Sequence, residues 1–165
     1  MSHQHVRIYG SCFGHQLVAQ TLLSSHGVHA EKSPMGWEIG VQRVTLSPQF
    51  KEKFSLLKNT ESMSCQFLHS DHVAGITSSA KLPPDWMTVG KSELCEIQGL
   101  FQPGRVLTSQ GHPEFDKFII KTTISNLKEN GQFDHKEACD YLNSANQEED
   151  VILFGQILIS FMISP

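Results

Sequence analysis

The first clear hydrophobic pattern along the chain is a short, β-prone apolar run at residues 5–9, followed by a helical pattern. The apolar positions of residues 17–23 recur at helical intervals, and the pattern ends near Gly27. A strand, a turn and a helix are therefore predicted to meet at Cys12.

Further downstream, short strands and helices alternate. Residues 49–58 space Phe50, Phe54 and Leu57 at helical intervals, which predicts an exposed amphipathic helix. The other predicted elements are short strands within residues 28–46, a strand at 65–68, an irregular stretch at 73–76, a hairpin of residues 93–101 and 105–108, a helix at 115–130 and a C-terminal helix at 151–163.

Cys12 stands between two glycines at the predicted turn. A sharp strand-to-helix turn leaves little room for a Cβ atom on either side of its central residue, so Gly10 and Gly14 fit there on steric grounds. The oriented N–H groups at a helix N-terminus favour a thiolate over a thiol. The pattern is typical of a nucleophile elbow, a turn that presents the attacking side chain.

A partner for this thiol is predicted at His112 and Glu114. Pro113 favours an extended chain at His112, and in an extended chain residues two apart point to the same side. The preceding apolar run at residues 105–108 would deliver the pair to a strand end, where open α/β sheets place their sites. The alternative is a structural histidine beside a surface glutamate.

These residues carry the signatures G-x-C-x-G-x-Q, at residues 10–16, and H-P-E, at residues 112–114. The chain therefore resembles the class I glutamine amidotransferase family, and residues 36–41, 69–73 and 92–99 resemble its stand-alone, amidotransferase-like members. The resemblance implies one domain over residues 1–165, with an α/β, flavodoxin-like sheet flanked by helices.

The resemblance assigns roles to five positions. Cys12 would attack the γ-carbonyl of glutamine or of another γ-glutamyl compound, His112 would carry protons and Glu114 would orient His112. The N–H of Phe13 would give half of the oxyanion hole, and the side chain of Gln16 would contact the glutamyl group. Gln16 is also explained as an ordinary residue of the first helical turn.

The largest departure from the family lies upstream of the elbow. Family members have several strands there and a glycine-rich loop that supplies the second oxyanion donor, whereas eleven residues precede Cys12 and residues 1–4 contain no such loop. We therefore expect an N-terminally truncated domain that covers the C-terminal two-thirds of the family fold. An uncovered elbow strand would favour self-association. Ser11 is a milder departure, since many members carry Ile or Val there.

Composition restricts the partners. The chain has 165 residues and a net charge of −4 without a basic cluster, so nucleic acid is not an expected partner. The cysteines are widely spaced and no secretory signal is recognised, which predicts reduced thiols in the cytoplasm. The apolar run at residues 151–163 is too short to cross a bilayer. We expect a small-molecule substrate, no cofactor and no membrane contact.

Two function classes remain open at this point. One is a γ-glutamyl hydrolase or transferase, and the lack of a fused synthetase domain favours a stand-alone enzyme. The second is a truncated, catalytically weak homologue that serves as a binding module or does not fold alone. A metal hydrolase using His69, Asp71 and His72 would be the rival chemistry, but their spacing matches no structural zinc pattern and no metal site is expected.

Overall fold

The computed structural model describes residue 3 and residues 5–76 and 82–163. Within these ranges the strands are β1 (Ile8–Ser11), β2 (His29–Lys32), β3 (Glu38–Leu46), β4 (Ser62–His69), β5 (Asp71–Ala74), β6 (Met87–Thr88), β7 (Gly90–Lys91), β8 (Leu100–Gln102) and β9 (Val106–Ser109). The α-helices are α1 (Phe13–Leu23), α2 (Pro48–Lys51), α3 (Lys117–Glu129), α4 (His135–Ser144) and α5 (Val151–Ile163). The segment 1–4, expected to lack a glycine-rich loop, lies outside the described residues except for residue 3.

One sheet of the described residues has the strand order β1-β9-β8-β6. β1 pairs with β9 in parallel, and the register sets Ser11 opposite Ser109. β8 and β9 form the antiparallel hairpin predicted around Pro103 and Gly104. The parallel pairing places the ends of two sequence-distant strands side by side.

A second sheet has the order β4-β3-β7, and β2 pairs separately with β5. β3 and β4 pair antiparallel from Glu38 opposite His69 to Thr45 opposite Ser62. An isolated bridge between Gln66 and His112 connects β4 to the segment after β9. The end of β4 is therefore held next to the end of the first sheet.

Within the described residues, three clusters of buried apolar side chains hold the helices on the sheets. The largest includes Phe50 and Phe67 with Ile157 of α5, a second joins Leu23 of α1 to Val106, and a third packs Ile120 and other residues of α3 and α4 on β3. No helix of the described residues is long and apolar enough to span a membrane.

Three local predictions are wrong. Residues 49–58 form the short helix α2 and a 3₁₀ turn, Ser55–Leu57, because an extended Phe54 lets Phe50, Phe54 and Leu57 all turn into the core. The strand predicted over residues 93–101 is confined to β8, since Ser92 closes a turn by accepting the N–H groups of residues 94 and 95. Residues 71–74, expected to be partly irregular, form β5.

The two glycines around Cys12 have different roles. A Cβ atom on Gly10 would lie 2.7 Å from the carbonyl carbon of Gly14 and 2.8 Å from its oxygen, whereas a Cβ atom on Gly14 meets nothing within 4 Å. Close approach therefore requires a glycine at position 10. The same steric explanation, expected for Gly14, is wrong.

This difference gives a matched pair of variants. In Gly10→Ala the new Cβ atom would push the backbone of residue 10 away from the backbone of Gly14. This variant should lower the free energy of unfolding by roughly 1–3 kcal/mol. Gly14→Ala enters open space within α1 and should leave stability unchanged or raise it by up to about 1 kcal/mol. Urea unfolding of the two variants and the wild type measures both effects, and equal losses in the two variants would contradict the steric argument.

Candidate active site

Cys12 lies between the end of β1 and the start of α1. It adopts φ 47° and ψ −108°, and it is the non-glycine residue with a positive φ in the described chain. Such a conformation costs about 1–3 kcal/mol and persists only when its surroundings hold it. The Cys12 N–H donates to the Ser109 carbonyl over 2.8 Å, and the Cys12 carbonyl accepts from the N–H of Gln16 over 3.2 Å.

His112 and Glu114 face this turn from the segment after β9. The N–H of His112 donates to the Gln66 carbonyl over 2.7 Å, which anchors the residue to β4. Nδ1 of His112 lies 2.7 Å from Oε1 of Glu114. The sequence prediction that these two side chains converge is confirmed by this distance.

The positive charge of a protonated His112 and the negative charge of Glu114 stabilise each other. Burial opposes protonation of His112, but hydrogen bonds and charge interactions with Cys12 and Glu114 outweigh it and raise the pKa of the imidazole to about 9. Burial likewise opposes ionisation of Glu114, yet hydrogen bonds from His112, from its own N–H and from Ser11 leave the pKa of the carboxyl below its ordinary value. The pair therefore favours imidazolium and carboxylate.

Two contacts at this site are not predicted by sequence motifs. The ring of Phe115 stacks on His112 with ring centroids 4.0 Å apart and planes 13° apart, so one face of the imidazole is covered. Sγ of Cys12 lies 3.9 Å from the carbonyl oxygen of Leu68, at the end of β4. The short separation of His112 and Phe115 is the one sequence signal that could have indicated the stack.

The two remaining predicted site residues belong to α1. Phe13 is its first residue, so its N–H is among the helix N-terminal donors that have no acceptor within the helix, while its side chain is 70% exposed. Gln16 is only 8% exposed, and its amide nitrogen donates to the Asp71 carbonyl and to Oε1 of Gln110. Gln16 therefore ties the helix to β5, and its contact with a glutamyl group stays a prediction.

His69 belongs to a buried polar cluster with Glu38 and Gln98. Nε2 of His69 is 2.8 Å from Oε2 of Glu38, and its Nδ1 is 2.9 Å from the Asp71 carbonyl. Gln98 also donates to Glu38, over 2.6 Å. Among the described residues, no group of three or more histidine, cysteine, aspartate or glutamate side chains is arranged to hold a metal ion.

The chain belongs to the glutamine amidotransferase class-I family, whose family model matches residues 1–127. A glutamine amidotransferase-like protein of Schizosaccharomyces pombe is 26% identical over 159 residues, which cover 96% of this chain and 58% of the relative. Gamma-glutamyl peptidase 2 of Arabidopsis thaliana is 28% identical over 121 residues, which cover 73% of this chain and 45% of the relative.

The fold is also found among solved structures. The crystal structure of a glutamine amidotransferase from Thermotoga maritima matches with a TM-score of 0.64 and 24% identity, over 98% of this chain and 64% of that chain. The predicted family and the predicted α/β fold are confirmed. The chain spans between 45% and 64% of the lengths of these three proteins.

Two histidines of the site region should titrate far from the ordinary range. Burial lowers the pKa of His15 to about 3, whereas that of His112 is raised to about 9. Imidazole chemical shifts measured by NMR between pH 4 and 10 should therefore show His15 neutral throughout and His112 protonated at neutral pH. Glu114→Gln removes a negative charge and should lower the pKa of His112. An unchanged pKa in that variant would contradict the pairing.

The cysteines should differ in reactivity. All four are free, and burial raises the pKa of Cys65 well above its usual range and that of Cys95 to about 12. Limiting iodoacetamide at pH 7 should label Cys12 first, because Cys12 is partly exposed and lies at a helix N-terminus. Mass spectrometry of the labelled peptides measures the order, and the exposed Cys139 is the internal control. Faster labelling of Cys139 would count against a special role for Cys12.

Proposed function

We propose that the chain is one domain, residues 1–165, that hydrolyses or transfers a γ-glutamyl group through Cys12, His112 and Glu114. The observation that carries the proposal is the His112–Glu114 contact of 2.7 Å next to a cysteine held at positive φ on a strand-to-helix turn. A thiol, a base and a carboxylate that orients the base are the parts that nucleophilic acyl transfer needs.

In the proposed reaction, the proton of the Cys12 thiol has passed to His112, and the thiolate Sγ attacks the γ-carbonyl carbon of glutamine or of another γ-glutamyl amide. The N–H of Phe13 donates to the oxyanion of the tetrahedral intermediate. The C–N bond then breaks, and His112 gives its proton to the departing ammonia or amine. A γ-glutamyl thioester on Cys12 is left.

Water completes the cycle. It attacks the thioester carbonyl while His112 takes one of its protons, and cleavage of the C–S bond releases glutamate and restores the Cys12 thiolate beside the imidazolium of His112. If an amine attacks in place of water, the γ-glutamyl group is transferred. Glu114 keeps its charge throughout and stabilises the imidazolium that forms.

The substrate is proposed to be glutamine or a γ-glutamyl peptide, bound with Gln16 on the glutamyl side. Family membership and the similarity to a gamma-glutamyl peptidase support this substrate class. We also propose that the protein works in the cytoplasm, since a thiol nucleophile must stay reduced and the four cysteines are free.

The test is release of glutamate from glutamine, glutathione and γ-glutamyl-p-nitroanilide by the purified chain. Cys12→Ser and His112→Ala should each abolish turnover, because each removes a reacting group. Glu114→Gln should retain a small fraction, since the carboxylate only orients and stabilises the base. Thr123→Val, which removes an exposed hydroxyl of α3, is the control and should leave turnover unchanged.

Far-ultraviolet circular dichroism and thermal unfolding of the same variants separate chemistry from folding. Turnover that survives in Cys12→Ser, or parallel loss of structure and activity in all three site variants, would refute the proposed roles.

A further inference from the structure

Ser11 is the last residue of β1 and directly precedes Cys12. In the parallel register it lies opposite Ser109, three residues before His112. Its hydroxyl, however, does not bind its neighbour in the sheet. Oγ of Ser11 donates to Oε1 of Glu114 over 3.1 Å, a contact between residues 103 positions apart in the chain.

The oxygen of Glu114 that accepts this hydrogen bond is the one that faces His112. Oε1 lies 3.1 Å from Oγ of Ser11 and 2.7 Å from Nδ1 of His112. One carboxylate oxygen thus joins a hydroxyl from the elbow strand to the imidazole. Both bonds are satisfied by a single orientation of the Glu114 side chain.

The Glu114 side chain depends more than His112 on a hydrogen bond that fixes its orientation. The His112 side chain is 13% exposed, and its ring is held by the stack with Phe115 and by main-chain bonding to β4. The Glu114 side chain is 48% exposed, so water competes for its oxygens and its torsions cost entropy to fix. A hydroxyl on rigid β-structure reduces that cost by giving the carboxylate a second fixed partner.

We propose that Ser11 is a positioning residue of the active site, whose hydroxyl holds the Glu114 carboxylate against Nδ1 of His112. The inference rests on the proposed function, because the orientation of Glu114 matters only if His112 carries protons to and from the substrate. Ser11 touches neither the substrate nor Cys12 Sγ in this scheme. It acts through Glu114 alone.

This bond also links two halves of the site that are otherwise joined by main chain. The N–H of Cys12 donates a backbone hydrogen bond to the Ser109 carbonyl, at the end of β9. The neighbouring Ser11 adds a side-chain hydrogen bond to Glu114, in the segment after β9. The backbone link fixes the position of the nucleophile. The side-chain link fixes the direction of the base.

The test compares Ser11→Thr, which keeps a hydroxyl, with Ser11→Val, whose side chain has the shape of threonine but no hydroxyl. Ser11→Val should lower kcat for γ-glutamyl hydrolysis about 2- to 10-fold, the range expected for one intramolecular hydrogen bond, and leave KM within about twofold. It should also lower the pKa of His112, measured by NMR, because the carboxylate is freed to turn into water. Ser11→Thr should preserve both values.

A second arm asks whether Ser11 acts through Glu114. In a Glu114→Ala background, Ser11→Val should cause no further loss, since the acceptor is gone. Ser11→Ala serves if the valine variant does not fold, and Thr123→Val repeats the control for loss of a distant hydroxyl.

Three results would overturn the proposal: equal losses in the Thr and Val variants, an unchanged kcat and His112 pKa in Ser11→Val, or the same loss with and without Glu114. Failure of the proposed function has a different signature. If the wild type turns over none of the γ-glutamyl substrates, the kinetic arm fails for every variant, while the NMR titration still decides whether Ser11 holds Glu114 on His112.

Discussion

The parallel pairing of β1 with β9 is the constraint on which the rest of the site depends. β1 ends at Ser11, and β9 ends opposite it at Ser109. β1 continues into the helix that begins after Cys12, whereas β9 continues into the segment that carries His112. A shift of the register by one residue would turn every side chain of β1 to the opposite face and separate the thiol from the imidazole.

Holding Cys12 at positive φ stores strain, and the surroundings oppose its release. The main-chain bond to Ser109 fixes the turn from one side, and the contact of Gly10 with the backbone of Gly14 fixes it from the other. The strain is of the order of a few kcal/mol, comparable to a sizeable part of the stability of a small domain. This conformation is therefore maintained by the sheet and the helix together.

Much of this site could be predicted from the sequence because its signals are local. The glycine spacing around Cys12, the apolar strand before it and the extended His112–Glu114 segment are each set within a few residues. The hairpin of β8 and β9 follows from a Pro-Gly turn in the same way. Contacts between distant segments have no such signal, so the Ser11–Glu114 bond could be found only from the structure.

Tertiary packing explains the local errors. Phe50, Phe54 and Leu57 keep helical spacing, yet the core draws all three inward and an extended residue interrupts the helix. Burial thus outweighs helical propensity in this segment, as it commonly does where a short apolar stretch lies next to a sheet. Family resemblance helps little here, since it identifies motifs rather than the path of each connection.

Two of the histidine–carboxylate pairs among the described residues, His69–Glu38 and His112–Glu114, differ in burial, and the difference bears on the role proposed for His112. The side chains of His69 and Glu38 are 4% and 2% exposed, and both nitrogens of His69 lie within hydrogen-bonding distance of oxygen atoms. The His112–Glu114 pair is 13% and 48% exposed, so water can compensate when the imidazole changes its charge. The proposed proton carrier must change charge in every cycle, and the partly exposed pair suits that role better than the buried pair, in which Nδ1 of His69 faces the Asp71 carbonyl.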